Sequence, residues 1–219
     1  MSGEYNETTM RRMGELNAGW GICGVTSTFY AMYQNNPGAR GRLINAPLPY
    51  SVLAEIKTFL NILASEGKIA MLNDIQAFTR SFGVVQGTDF SNFTVANYIK
   101  YINDSLATYI NKISDEVDDR IKGDALFGIG LPPAVVAEYA RRVWKFNATV
   151  STGDQSGDVI VGVKDSTRWF NGFRLYDGLV HYVYRKNGKY YTWGGKPYDT
   201  LAAASAGFEL CCTVKLATV

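Results

Sequence analysis

The fold is decided by the stretch GLVHYVYRKNGKYYTW, residues 178–193, in which two runs rich in aromatic and β-branched residues flank Asn187-Gly188. Asn-Gly between two such runs is the strongest short-range signal for a β-hairpin with a two-residue turn. In the register that this turn imposes, His181 faces Gly194. Thr192 faces Val183 and therefore lies diagonally beside His181. The sequence thus predicts an antiparallel pair of strands that carries the only histidine of the chain.

Outside this hairpin the hydrophobic period changes partway along the chain. Apolar residues recur at helical spacing in the first part, and alternating or continuous β-type runs follow. The pattern predicts helices over about 23–33, 49–63, 70–82, 93–113 and 133–143. Strands are expected over about 148–152, 158–163, 173–176, 179–185, 189–193 and 209–216.

This order predicts one α+β domain spanning 1–219, with an N-terminal helical lobe over about 1–144 and an antiparallel β-sheet over about 145–219. Pro132-Pro133 is well placed to start the last helix of the lobe, because proline is favoured in the first helical turn. Asn35-Asn36-Pro37-Gly38 similarly ends the first helix.

Composition excludes several functional classes. The net charge of +2 offers no electrostatic case for binding nucleic acid or an anionic membrane. We expect no integral membrane segment, because charged residues interrupt the apolar runs. The N-terminus has neither the basic nor the apolar region of a Sec signal peptide. We therefore expect synthesis in the cytoplasm and, if the protein acts elsewhere, export to a target cell by a specialised secretion system.

Cys23 lies in Gly21-Ile22-Cys23-Gly24, at the start of a predicted helix. The free N–H groups and the dipole at a helix N-terminus stabilise a thiolate and an oxyanion that develops on a substrate. A reactive cysteine also needs a base, and His181 is the only histidine that the chain offers. The sequence therefore predicts a Cys23–His181 catalytic pair. The competing interpretation is a buried structural cysteine and a hydrogen-bonded strand histidine.

A cysteine that opens a helix, followed by further helices and then a histidine on a long hairpin, resembles the papain-like cysteine peptidase and amidase superfamily. The Gly-Ile-Cys-Gly segment is most similar to bacterial NlpC- and CHAP-type amidases and to injected effector proteases. The resemblance covers about 17–32 and 179–193. It implies a papain-like fold and a hydrolase that cleaves amide or peptide bonds.

The resemblance also implies roles for further residues. An amide side chain six residues before the nucleophile contributes to the oxyanion hole in that superfamily, and this position is Asn17. A third residue on the strand after the histidine orients the imidazole there. The hairpin register puts Gly194 opposite His181, so we expect Asp199 to take this role by folding back. A backbone carbonyl could replace it, and a helix cap before Leu201 is the competing role for Asp199.

Other residues suggest less specific roles. Trp20 and Trp193 are expected to line the substrate cleft. No metal and no cofactor are expected, because one histidine and three cysteines lack the spacing of a metal site and no phosphate-binding glycine loop is present. Cys211-Cys212 is expected to fill the core, with the two side chains on opposite faces of a strand.

The function expected from this resemblance is a cysteine hydrolase that acts on peptidoglycan peptides as a secreted bacterial effector or toxin. Alternatives are a protease or a glutamine deamidase that acts on a target protein, and a non-catalytic binding protein. The expected partners are the peptide or peptidoglycan substrate and a cognate inhibitor or immunity protein, with no nucleic acid.

Overall fold

A computed structural model describes residues 7–19, 21–40, 48–81, 96, 128–166 and 175–218. Within these residues the protein is a mixed α+β fold with six α-helices and one six-stranded antiparallel sheet. The α+β class expected from the change of hydrophobic period is therefore confirmed. The helices are not confined to the N-terminal part, because one short helix lies between the last two strands.

Five helices of the described residues precede the sheet, and four of them correspond to sequence predictions. They are α1 (Glu7–Gly19), α2 (Cys23–Asn35), α3 (Leu48–Ser65), α4 (Ile69–Ser81) and α5 (Pro133–Trp144). A 3₁₀ turn, Pro37–Ala39, follows α2 where four poor helix formers occur in succession. Helix α1 was not predicted from the sequence, although Met10, Met13 and Leu16 form a buried stripe at a spacing of three residues. The helix expected over 93–113 lies outside the described residues, apart from Ala96, which is helical.

The strands are β1 (Phe146–Ser151), β2 (Asp158–Lys164), β3 (Leu179–Lys186), β4 (Lys189–Tyr191), β5 (Pro197–Tyr198) and β6 (Glu209–Thr218), in the sheet order β1-β6-β2-β3-β4-β5. The sixth helix, α6 (Leu201–Ala204), precedes β6. The hairpin register expected from Asn187-Gly188 is confirmed, since Tyr184 pairs with Tyr191 and Arg185 with Tyr190. The strand expected over 173–176 is wrong where the structure describes it, because Leu175–Gly178 is a 3₁₀ turn with left-handed backbone at Tyr176 and Asp177.

The core lies between the helices and one face of the sheet. Helix α2 is the central helix, and every residue from Gly24 to Tyr33 is buried. It packs against β3, α5 and α1. A smaller cluster on the opposite face is built on Val159, Val161 and Val163 of β2. This packing holds the start of α2 against β3, where the predicted site residues lie.

A β-bulge alters the expected orientation of the adjacent cysteines. Gly162 of β2 pairs with Cys212, but the next residue, Val163, pairs with Leu210, so Cys211 is an extra residue in β6. Cys211 and Cys212 consequently both pack on the helix side of the sheet. The prediction that they point to opposite faces is wrong, because strict alternation holds only in an unbulged ladder.

No described helix combines the length and apolar character that a membrane crossing requires. This agrees with the expectation from the interrupted apolar runs of the sequence.

Glu138 on α5 is a buried carboxylate that contacts three cationic side chains. Its oxygens lie 2.6 Å from Lys68 Nζ, 2.7 Å from an Arg141 nitrogen and 2.9 Å from Arg142 Nε. Burial raises the pKa of Glu138, but the hydrogen bonds from these three cations outweigh it and lower the pKa to about 2. The cluster therefore links the segment between α3 and α4 to α5.

Glu138→Gln is expected to lower the free energy of unfolding by about 2–3 kcal/mol, because it leaves three cations around a buried neutral amide. Urea denaturation at pH 7 measures this change. Glu66→Gln is the matched control, because the Glu66 side chain is 36% exposed and pairs with the same Arg142. Its expected effect is below about 1 kcal/mol. Equal losses in the two variants would contradict the role of burial.

Candidate active site

The thiol of Cys23 lies beside the part of the β3 edge that does not pair with β4. Cys23 is the first residue of α2, and Ile22 is its N-cap. The strand β4 pairs only with residues Tyr184–Lys186 of β3, so the part of this edge around His181 is not covered by β4. The backbone N–H of Tyr182 hydrogen-bonds the Cys23 sulfur. The nucleophile expected from the sequence therefore lies beside the residue that follows His181.

The loop before Cys23 is held by the segment that leads into α5. Ile129 N–H donates to the Gly21 carbonyl at 2.9 Å, and Gly21 and Gly128 form a parallel bridge. A Cβ at Gly24 would lie 3.1 Å from Val136 Cγ2 and 3.2 Å from Leu131 Cβ. Glycine at position 24 thus allows the first turn of α2 to approach α5 closely.

Cys23 and His181 line one cavity of about 70 Å³. Its apolar lining includes Phe78, Ile129 and Leu131. The structure thus brings together two side chains that are separated by most of the chain. Among the described contacts there is no hydrogen bond between the Cys23 thiol and the His181 imidazole. Catalytic hydrogen bonds are often long in substrate-free sites and shorten when substrate binds.

Thr192 orients the imidazole. His181 Nε2 and Thr192 Oγ1 lie 2.6 Å apart, and both residues are buried. Thr192 follows the last residue of β4, and its carbonyl accepts a hydrogen bond from Tyr30 Oη at 2.8 Å. Since Tyr30 is on α2, the helix that begins with Cys23 also fixes the residue that holds His181.

Asp199 does not contact His181 in the structure. Its side chain is 81% exposed and forms an ion pair with Lys189. The orienting role expected for Asp199 is therefore wrong for this structure, and Thr192 has that position. The competing capping role is also not observed, because the Thr200 side chain caps α6 by accepting from Ala203 N–H.

Of the remaining predicted residues, Asn17 is buried in the last turn of α1 and is not among the described residues that line the cavity. Trp193 stacks on the His181 ring, with centroids 4.0 Å apart and planes inclined by 15°. It thus covers the imidazole and is likewise not among the described lining residues. Trp20 lies outside the described residues.

Both members of the pair are neutral in the resting protein. Burial raises the pKa of the Cys23 thiol to about 11, although backbone N–H groups of Tyr182, Gly24 and Cys23 itself hydrogen-bond the sulfur and lower it. Burial also lowers the pKa of His181 to about 3. The low-pKa thiolate expected from the helix N-terminus is therefore wrong for the resting state, because desolvation outweighs the backbone N–H groups.

The predicted register put Thr192 on the diagonal beside His181 without a role, and neither Tyr30 nor the N–H group of Tyr182 was predicted to belong to the site. The predicted hairpin register was the sequence signal that could have identified Thr192 as a partner of His181. No local sequence pattern predicts the contacts of Tyr30 and Tyr182, because these contacts join α2 to the residue after β4 and to β3.

In the described part of the chain, no group of three or more His, Cys, Asp or Glu side chains is arranged to hold a metal ion. Comparisons with family models, with curated proteins and with solved structures found no match to this chain.

Proposed function

We propose that the protein is a cysteine hydrolase that cleaves amide or peptide bonds, with Cys23 as nucleophile and His181 as general base and acid. One observation carries the proposal: the only histidine of the chain and Cys23 line the same cavity. The papain-like resemblance of the two segments supports the same chemistry but remains an analogy.

Thr192 determines which imidazole nitrogen is available. With Nε2 bonded to the Thr192 hydroxyl, Nδ1 is the remaining ring nitrogen, and we propose that it exchanges the proton with the thiol. A base must present a lone pair, so the reactive tautomer carries its proton on Nε2 and Thr192 accepts it. An uncharged hydroxyl does not stabilise an imidazolium as a carboxylate would, which agrees with a neutral resting pair.

The proposed reaction proceeds by acyl transfer. The Cys23 proton moves to His181 Nδ1 as the sulfur attacks the amide carbonyl, and the C–N bond breaks as His181 protonates the leaving amine. His181 then removes a proton from water, which hydrolyses the thioester. The backbone N–H of Cys23 is proposed to bind the oxyanion. Asn17 stays the proposed second donor, and it would need to reach the cavity from the last turn of α1.

The proposed substrate class is a peptide with a small apolar side chain beside the scissile amide, since Phe78, Ile129, Leu131 and Val180 line a cavity of about 70 Å³. Peptidoglycan peptides, which are rich in alanine, are the first candidate. The protein would then be an exported effector or toxin with an immunity protein as partner. A protein backbone and a glutamine side chain are the alternative amide substrates.

A non-catalytic binding protein is the second candidate function. The raised pKa of the Cys23 thiol favours it, because a thiol with a pKa of about 11 is almost wholly protonated near neutral pH. In this case the Cys23–His181 arrangement would be structural, and no amide would be cleaved.

Incubation with purified sacculi, casein and a glutamine-containing peptide separates these functions. Release of new amino groups from sacculi, with none from casein and no ammonia from the peptide, is expected. Each product is quantified for the wild type and for Cys23→Ala. Cleavage that persists in Cys23→Ala, or the absence of cleavage of all three substrates, would contradict the proposed function.

Thr192→Val is expected to lower kcat by about 5- to 150-fold, because an unpartnered buried His181 nitrogen costs about 1–3 kcal/mol. KM is expected to change little, since Thr192 is not among the described residues that line the cavity. Steady-state kinetics on the cleaved substrate measures both constants. Thr192→Ser retains the hydroxyl and is the matched control, so an equal loss of kcat in both variants would contradict the orienting role.

A further inference from the structure

The β-bulge in β6 brings two thiols together at a place that the proposed hydrolase does not use. Cys211 is the extra residue of the bulge and Cys212 is its neighbour, and both pack on the helix side of the sheet. The Cys212 thiol hydrogen-bonds the Cys211 sulfur. The Cys211 thiol donates to the Tyr176 carbonyl at 3.3 Å. The bulge therefore places both thiols of a vicinal pair on the same side of the sheet.

The two thiols differ in accessibility and acidity. Cys211 is partly exposed, whereas Cys212 is buried. The hydrogen bond from Cys212 lowers the pKa of Cys211, and the same bond together with burial raises the pKa of Cys212. An accessible, more acidic sulfur beside a buried one is the arrangement of an attacking and a resolving thiol.

Gly162 makes room for this pair on the neighbouring strand. A Cβ at position 162 would lie 2.5 Å from Cys212 Sγ, closer than side-chain atoms approach one another. It would also lie 2.8 Å from Leu179 Cδ1. The Cys212 sulfur therefore occupies the space that any side chain at position 162 would need.

We propose that Cys211-Cys212 is a thiol–disulfide exchange site whose substrate is a small-molecule disulfide of the glutathione type. The Cys211 thiolate attacks one sulfur of this disulfide, its S–S bond breaks, and one thiolate leaves and takes up the proton lost by Cys211. Cys212 then loses its proton and attacks Cys211 Sγ, which expels the second thiol. Two electrons pass from the protein to the oxidant, and the product is a disulfide between adjacent residues.

The disulfide between Cys211 and Cys212 is expected to be reduced back to the dithiol readily. Adjacent Cα atoms are about 3.8 Å apart, whereas disulfides usually join Cα atoms separated by about 4.4–6.8 Å. The resulting strain makes the bond easy to reduce. The site would thus cycle between dithiol and disulfide rather than stay oxidised.

Mass spectrometry after treatment with glutathione disulfide tests the proposal. Cys23→Ser is the background, because it leaves only Cys211 and Cys212 as thiols. In this background the protein is expected to lose two hydrogen atoms and to retain no glutathione. Added Cys212→Ser is expected to stop the reaction with one glutathione on Cys211. Added Cys211→Ser is expected to react at least about 10-fold more slowly.

Glutathione that remains on the intact pair, faster reaction at Cys212 than at Cys211, or no reaction of either thiol would each overturn the proposal. The intact pair gives a decisive result even if a serine variant does not fold. Cys212→Ala keeps an apolar side chain beside Gly162 and can then replace Cys212→Ser. Recovery of the original mass with dithiothreitol is the expected sign of reversibility.

Discussion

Cys23→Ala is expected to lower the rate of amide hydrolysis by about 10⁴-fold or more, because it removes the only thiol among the described residues that line the cavity. Removing the nucleophile of a catalytic unit has effects of this size in other hydrolases, and the residual rate reflects binding and oxyanion stabilisation. The free energy of unfolding is expected to change by less than about 1 kcal/mol, since alanine fills nearly the same volume. Initial rates and urea denaturation measure the two effects.

Cys211→Ala under reducing conditions is the matched control for Cys23→Ala. It removes a cysteine that lies outside the described lining of the cavity, so the hydrolysis rate is expected to stay within about twofold of wild type. Cys23→Ser is informative in a different way. Because the resting pair is neutral, the Cys23→Ser hydroxyl can still transfer its proton to His181, but it is a weaker nucleophile than the thiol. A Cys23→Ala variant that hydrolyses the substrate at the wild-type rate would contradict the assigned nucleophile.

Acidification is expected to destabilise the fold through His181. Burial lowers its folded-state pKa from 6.5 to about 3. Between these values the unfolded chain binds a proton that the folded protein does not bind, so stability falls as the pH falls. The contribution is fully present above pH 6.5 and is lost by about pH 3. At about 1.4 kcal/mol per pKa unit, the total loss is about 5 kcal/mol.

The range from pH 6.5 to pH 4.5 isolates this effect, where a loss of about 2 kcal/mol is expected. Glu138 adds its own loss only at lower pH, because its pKa falls from 4.5 in the unfolded chain to about 2 in the folded protein. His181 is the only histidine, so no second imidazole titrates in this range. Urea denaturation at several pH values provides the measurement.

His181→Gln is the control, because glutamine can still donate to the Thr192 hydroxyl but carries no titratable group. Its stability is expected to be nearly constant over the same range. In the structure His181 is buried in its neutral form. An equal fall in the free energy of unfolding of both proteins would contradict this.

Local sequence signals predicted the elements that surround the site. Asn187-Gly188 determined the register of the β3–β4 hairpin because few residues besides Asn and Gly adopt the left-handed backbone of that turn, and both have positive φ in the structure. The start of α2 at Cys23 and of α5 at Pro133 followed from equally local preferences. These signals act within a few residues, which explains why the α+β class could be predicted from the sequence.

The residues around the pair depend on features that no local pattern contains. Thr192 contacts His181 because β4 ends at Tyr191 and Tyr30 anchors the next residue from α2. Asp199 was expected in that role from chain order, but its exposed position favours a pair with Lys189. One extra residue in β6 similarly reversed the expected orientation of Cys211.

The sequence alone therefore determined most of the described helical and β segments, the hairpin register and the single histidine of the chain. Only the tertiary structure determined the protonation of Cys23 and His181, the partner of the imidazole and the meeting of two thiols in the bulge. The physical reason is that pKa values and hydrogen-bond partners depend on desolvation and on atoms from distant segments. Tyr30 and Thr192, for example, are 162 residues apart in the chain.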